Sequence, residues 1–105
     1  METNTNLSFE QLSDEILIRR VAQREPSALG ILYDRYAPTV LGICLHILGE
    51  QGSAEEALKE IFWQVWQSAA SYEAQRGSFS SWLFHLTRGL AMEVSQSRSM
   101  KLVNK

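Results

Sequence analysis

Apolar residues recur at helical spacing in four stretches of the chain, and the clearest stretch is residues 53–70. Within it they follow one another every three or four positions, the period of a helix with one buried face. Ser53 and Glu56 have the spacing of a capping box, which predicts that Ser53 caps the start of the helix. The opposite face is polar and carries Glu55, Glu56, Lys59, Glu60, Gln64 and Gln67.

Trp63 lies on the polar side of this predicted helix, four residues after Lys59 and three after Glu60. A large aromatic side chain among charges on an outward face suggests a contact site for another protein. The alternative is that Trp63 packs under a neighbouring helix of its own chain. Helical periodicity alone leaves both interpretations open.

Two further helices are predicted before this one. The first is capped by Ser13 and runs from Asp14 to about Arg24. The second begins near Pro26, is apolar on most sides and ends in the turn at residues 49–52. Pro38 is predicted to kink or interrupt it, and its two charged residues, Asp34 and Arg35, are predicted to point outward.

A fourth helix is predicted after a loop at residues 71–77, with Ser78 as its cap. Its apolar face comprises Phe79, Trp82, Leu83, Leu86, Leu90 and Val94. The pattern is lost from Ser95 onward. The chain is therefore predicted to be all-α, a compact bundle of about four helices, with a flexible N-terminus at 1–12, a helical domain at 13–98 and a tail or linker at 99–105.

Composition excludes several classes of protein. The absence of a long apolar run and of a signal pattern predicts a cytoplasmic protein without membrane insertion. The single cysteine, Cys44, excludes an internal disulfide, and it is two residues from His46, so the two side chains point in different directions on a helix. No constellation of nucleophile, acid, base or metal ligands occurs, so neither an enzyme nor a cofactor is predicted.

Charge divides the chain into two parts. Residues 1–70 carry five cations and ten acids, for a net charge of −5, whereas residues 71–105 carry five cations and two acids, for +3. The acidic N-terminal part and the mildly basic C-terminal part could bind two different partners. The basic excess is too small to establish nucleic-acid binding alone.

Three motifs in a fixed order give the chain a family resemblance: LYDRYAP at 32–38, EIFWQVW at 60–66 and RGSFSSWL at 76–83. Together they resemble region 2 of bacterial sigma factors, and the nearest group is the extracytoplasmic-function sigma factors. The resemblance covers roughly residues 14–98. It implies docking on the clamp helices of the largest subunit of RNA polymerase core, followed by capture of the non-template strand of the promoter −10 element.

The resemblance assigns residues to both tasks. For polymerase binding it implies the outward face of the third helix, at Glu56, Lys59, Glu60 and Trp63, where Lys59 replaces the glutamine usual in the family. For DNA binding it implies the loop before the fourth helix and that helix's exposed face, at Tyr72, Arg76, Gly77, Ser78, Phe79, Trp82, Arg88 and Arg98. Phe79 and Trp82 also fit the core stripe, and for both we favour a core position over base contact.

Two departures from the family pattern leave an alternative open. Gly89 stands where the family has asparagine, and residues 94–97 replace a basic cluster, which predicts weaker DNA affinity. The family's second domain, which reads the −35 element, does not occur in these residues, so the chain is either a piece cut after region 2 or a natural single-domain relative. The alternative function is a degenerate interaction module, a regulator or decoy that binds polymerase or an anti-sigma factor without productive promoter recognition.

Overall fold

A computed structural model of the chain describes residues 11–72 and 77–103, with side chains as far as Ser97. Within these residues the helices are α1 (Asp14–Ala22), α2 (Pro26–Leu48), α3 (Gln51–Ser68) and α4 (Phe79–Val103), with a 3-10 turn at Ala69–Ser71. The all-α prediction is confirmed. The structure describes only the last two residues of the predicted N-terminal segment, and there the carbonyl of Leu12 accepts a hydrogen bond from Arg35.

The α2 helix is the centre of the bundle and packs against each of the other three helices. Its buried residues are Ala28, Leu32, Val40, Cys44 and Leu48. They meet Leu17 and Ile18 from α1, Ile61 and Val65 from α3, and Leu83 from α4, all nearly or fully buried. The predicted central position of this helix follows from an apolar surface that extends around most of its circumference.

The end of α1 and the orientation of Arg35 differ from the predictions. The α1 helix ends at Ala22 and not near Arg24, which lies in the following turn with a left-handed backbone (φ 67°). Arg35 does not point outward but is half-buried, because its guanidinium donates to the Asp14 carboxylate at 2.8 Å. The start of α1 agrees with the prediction, since the Ser13 hydroxyl accepts a hydrogen bond from the backbone amide of Ile16.

The α2 helix runs past Pro38 without interruption. Proline has no N–H, so the carbonyl of Asp34 lacks its usual helical partner. Both residues are exposed, so water can satisfy that carbonyl. Gly49 ends the helix as predicted, with a left-handed backbone (φ 73°) and its N–H donating to the carbonyl of Leu45 at 2.8 Å.

The predicted cap of α3, Ser53, is wrong by three residues. The helix begins at Gln51, and its cap is the side chain of Glu50, which accepts hydrogen bonds from the amides of Gly52 and Ser53. Ser53 donates its own hydroxyl to the same carboxylate at 2.6 Å. The capping box predicted between Ser53 and Glu56 is therefore absent from the cap of α3, and Glu56 stays exposed.

The α4 helix begins as predicted and extends further than its apolar pattern. Ser78 caps it, because the Ser78 hydroxyl accepts a hydrogen bond from the amide of Ser81 at 3.2 Å. The helix continues to Val103, beyond the predicted loss of pattern at Ser95.

Candidate nucleic-acid and protein interfaces

A cavity of about 450 Å³ lies between the end of the 3-10 turn and the start of α4. It is lined by Ser71, Tyr72, Gly77, Ser78, Ser81, Trp82 and His85. Its size falls in the range of small-molecule sites, about 300–1,000 Å³.

Aromatic rings form the wall of this cavity. Tyr72 and Trp82 meet edge to face, with ring centroids 5.4 Å apart. Phe79 lies behind them, with its centroid 6.2 Å from Tyr72 and 5.8 Å from Trp82, and its side chain is fully buried. Two of these contacts are edge to face and the Phe79–Trp82 contact is tilted, and together they hold the rings in fixed orientations.

Hydrogen bonds hold the rim of the cavity. The Tyr72 hydroxyl donates to the carbonyl of Gly77 at 3.1 Å, joining the two sides of the loop. The Ser78 hydroxyl lies 3.2 Å from that of Ser81 and 3.1 Å from that of Ser80. Burial, and then the nearby carboxylates of Glu15 and Asp14, raises the pKa of Tyr72, so its hydroxyl keeps its proton and remains a donor.

The α1 helix supports the same region from the other side. The carboxylate of Glu15 accepts a hydrogen bond from the backbone amide of Phe79, the first residue of α4, at 3.3 Å. A carboxylate at a helix N-terminus is stabilising because it satisfies a free amide and complements the helix dipole. The start of α4 is thus held by Ser78 locally and by Glu15 from a distant part of the sequence.

The structure brings four of the residues predicted for DNA binding together at the cavity: Tyr72, Gly77, Ser78 and Trp82. Phe79 lies in the core, as favoured from its stripe position, whereas Trp82 is half-buried, packing on the core and lining the cavity. Arg88 is exposed on α4, two turns beyond Ser81. Arg76 lies outside the described residues, as does the side chain of Arg98.

Sequence reasoning missed His85 as a cavity residue. It is exposed and lies one turn after Ser81 and three residues after Trp82, on the same side of α4. That spacing from the predicted site residues was the signal that could have found it.

The second predicted surface is the outward face of α3, and Glu56, Lys59 and Glu60 are all exposed on it. Trp63 is 53% exposed, which favours the outward position over burial beneath a neighbouring helix. Glu56, Lys59, Glu60 and Trp63 lie within two turns of the helix, so they form one continuous patch. We refer to these four residues as the α3 face.

An apolar groove of about 420 Å³ continues the α3 face towards α2. It is lined by Pro26, Leu29, Tyr33, Lys59, Phe62, Trp63 and Trp66. Tyr33 is 39% exposed and packs edge-on against Phe62, with the ring centroids 5.0 Å apart. Arg24 holds the Trp66 side of the groove, because its guanidinium lies 5.0 Å above the Trp66 ring and donates to the Trp66 carbonyl at 2.7 Å.

Cys44 and His46 occupy different environments on the α2 helix. Cys44 is fully buried, which raises the pKa of its thiol, whereas His46 is exposed, so the two point in different directions as predicted. Within residues 11–72 and 77–103, no group of three or more histidine, cysteine or acidic side chains could hold a metal ion. Among the helices described, none has both the length and the apolar character needed to cross a membrane.

Comparison with known proteins gives consistent matches. The family model for Sigma-70 region 2 matches residues 32–99. The ECF RNA polymerase sigma factor SigK of Mycobacterium sp. (strain KMS) is 37% identical over 87 residues, which are 83% of this chain and 45% of that protein. SigK of Mycobacterium tuberculosis (strain ATCC 25177 / H37Ra) is 30% identical over 79 residues, 75% of this chain and 42% of that protein.

A solved structure shares the fold. The NMR structure of an engineered region 2 of sigmaE in complex with GTAAAA has a TM-score of 0.79 to this chain at 24% identity, covering 91% of this chain and 98% of that one. The present chain spans less than half the length of the curated relatives it matches.

Proposed function

The chain belongs to the sigma-70 region 2 family, in the group of extracytoplasmic-function sigma factors, and we propose that it binds RNA polymerase core and captures the promoter −10 element as single-stranded DNA. The observation that carries the DNA part of the proposal is the cavity beside α4, with its aromatic wall and polar rim. Bases of single strands stack on aromatic rings, and a base removed from its stack needs a shaped pocket. The engineered region 2 of sigmaE, which has the same fold, was solved in complex with GTAAAA.

Different residues of the cavity would bind different parts of a base. Tyr72 and Trp82 offer ring faces and edges for stacking, and Ser78 offers a hydroxyl at the rim. Phe79, fully buried, acts indirectly by fixing the two rings from behind.

Phosphates of the strand are assigned to the arginines. Arg88 is exposed on the same helix as the cavity, and Arg76 and Arg98 complete the set by resemblance. Their guanidinium groups would neutralise phosphates and release counterions, so binding weakens as salt rises.

Polymerase binding is assigned to the α3 face. Glu56 and Glu60 would form charge-assisted hydrogen bonds with basic residues of the clamp helices of the largest subunit. Trp63 supplies the large exposed aromatic area that interfaces bury at their centre. Lys59, where the family has glutamine, would meet an acidic or neutral partner atom.

The proposal extends to domain boundaries and regulation. We assign residues 13–98 to the region 2 domain and 99–105 to a C-terminal tail or the start of a linker, with α4 continuing through that boundary. An anti-sigma factor would act by covering the α3 face and the cavity together, which would block both partners at once.

A second candidate function is favoured by one observation on α4. Residues 94–97, which stand where the family has its basic cluster, carry no cation, and the helix there presents Gln96 and Ser97 to solvent. A protein with an intact α3 face and weak DNA affinity would act as a regulator or decoy that binds polymerase or an anti-sigma factor.

Fluorescence anisotropy with labelled GTAAAA and its single-position variants tests the DNA part. We expect at least one single strand to bind the chain more tightly than the duplex of the same sequence. Trp82→Leu, which keeps apolar bulk against the core and removes the indole, should weaken this binding roughly tenfold, since stacking contributes about 1–3 kcal/mol per base. Equal affinity for single strand and duplex would contradict the proposal, and so would unchanged affinity of the variant.

A further inference from the structure

The cavity needs a group that distinguishes one base from another. Stacking on Tyr72 and Trp82 tolerates any base, because every base has an aromatic face. Discrimination comes from hydrogen bonds to the base edge. Such bonds require polar atoms in the cavity lining that are not already used for hydrogen bonds within the fold.

Most of the polar side chains at the cavity are already engaged within the fold. The Tyr72 hydroxyl donates to the carbonyl of Gly77, and the Ser71 hydroxyl donates to the carbonyl of Ser68. The Ser78 hydroxyl accepts from the amide of Ser81 and donates to the Ser81 hydroxyl, both at 3.2 Å. These hydrogen bonds hold the cavity in shape, and each of the three hydroxyls uses its donor hydrogen within the fold.

His85 differs from them. Its side chain lines the cavity, is exposed, and makes no hydrogen bond or ion pair with any residue in the described part of the chain. A neutral imidazole offers one donor and one acceptor nitrogen, on opposite sides of a flat ring. It lies one turn after Ser81 on the α4 helix, on the side of the helix that lines the cavity.

We propose that His85 is the specificity-determining residue of the cavity, where its imidazole hydrogen-bonds to the edge of the base that Tyr72 and Trp82 hold by stacking. The inference rests on the proposed capture of single-stranded DNA and adds the group that selects the base. Because the contact is to a base and not to a phosphate, it changes sequence preference and leaves the salt dependence of binding unchanged.

The competing role for His85 is a phosphate contact. Arg88 lies three residues further along α4, so a strand leaving the cavity towards Arg88 passes His85. A protonated imidazole at that point would strengthen binding to all sequences alike. Sequence preference and salt slope separate the two roles, because only a phosphate contact releases a counterion.

The experiment measures affinities of the whole chain for a panel of hexanucleotides, GTAAAA and every single-base change of it, at several salt concentrations. The variants are His85→Ala, which removes both ring nitrogens, and His85→Gln, which keeps one donor and one acceptor. His46→Ala is the matched control, since His46 is an exposed histidine on α2 that does not line the cavity. Circular dichroism checks that each variant keeps its helices.

We expect the wild-type chain to prefer one base at one position by roughly threefold to tenfold, the size of one net hydrogen bond. His85→Ala should abolish that preference with an unchanged salt slope. His85→Gln should retain a preference at the same position, and His46→Ala should behave as wild type.

Three results would overturn the inference. One is a wild-type preference that His85→Ala leaves intact, which would leave DNA capture itself standing. Another is uniform weakening by His85→Ala with a shallower salt slope, which would assign His85 to a phosphate. The last is a wild-type chain that binds no single strand of the panel, which would remove the proposed function together with the inference.

Discussion

The carboxylate of Glu15 in α1 accepts a hydrogen bond from the backbone amide of Phe79, at the first turn of α4 and 64 residues away in the chain. Phe79 in turn supports the rings of Tyr72 and Trp82. The shape of the cavity therefore depends on a residue that has no place in its lining.

Glu15→Ala should lower the free energy of unfolding by about 1 kcal/mol, because it leaves the Phe79 amide without its partner at the start of a helix. Glu15→Gln keeps an acceptor oxygen and should cost less. Urea denaturation measures both, with Glu93→Gln, an exposed glutamate on α4, as the control. Equal stability of Glu15→Ala and wild type would show that the bond contributes nothing.

Substituting Trp63 and Glu60 together by alanine should weaken binding to RNA polymerase core roughly tenfold or more, since buried aromatic residues dominate interface energies. The helical circular-dichroism signal should not change, because both side chains lie on the outer face. Leu45→Ala is the control, as an exposed apolar residue on α2 outside the α3 face. Undiminished affinity of the double variant for core would argue against the α3 face as the docking surface.

Arg88→Ala should reduce affinity for single-stranded −10 DNA and lower the slope of log affinity against log salt by about 0.7, the value for one phosphate contact on a single strand. Arg76→Ala should act in the same way. Lys59→Ala, which removes a cation from the α3 face, should leave that slope unchanged. If neither arginine variant changes the slope, the phosphate contacts lie elsewhere.

Tyr36 gives the fold an alkaline pH dependence. Its hydroxyl donates to Asp14, and burial, followed by that hydrogen bond, raises its pKa from 10.0 to about 12. Since the pKa is higher in the folded state, the stabilisation is complete below pH 10 and is lost as the pH rises to about 12.

The free energy of unfolding, measured by urea denaturation between about pH 9 and about pH 11, should fall less steeply in Tyr36→Phe than in the wild type. Tyr33→Phe, which removes an exposed hydroxyl from the same helix, should follow the wild-type curve. Identical pH profiles for Tyr36→Phe and wild type would contradict this role of the Asp14 bond.

The sequence predicted most of the helices and several of their ends, because these depend on interactions between residues that are close together in the chain. The helices follow from the period of the apolar residues, the end of α2 from a glycine at a left-handed position, and the start of α4 from the Ser78 hydroxyl. Periodicity placed Trp63 on the polar side of α3 but left open whether it packs under a neighbouring helix, and the structure shows it 53% exposed.

The predictions that failed concern partners distant in sequence or a choice between two nearby caps. Arg35 is half-buried because Asp14 lies 21 residues before it, and no periodicity reveals that pair. Glu50 caps α3 because its longer side chain reaches the amides of both Gly52 and Ser53, which a search for serine caps overlooks.

The cavity was visible only in part from the sequence. Resemblance pointed to Tyr72, Ser78 and Trp82, and the structure brings them together. His85 escaped because the resemblance assigns it no role, and only its position one turn after Ser81 on the same face of α4 connects it with the cavity. The bond from Glu15 escaped because it spans most of the chain.

The most direct test of the account is titration of this chain into RNA polymerase core, with and without a fluorescent single-stranded −10 oligonucleotide. The account predicts binding to core and capture of the oligonucleotide that depends on its sequence. Binding to core without any preference among oligonucleotides would contradict promoter recognition and favour the regulator or decoy. Absence of binding to core would contradict the central claim itself.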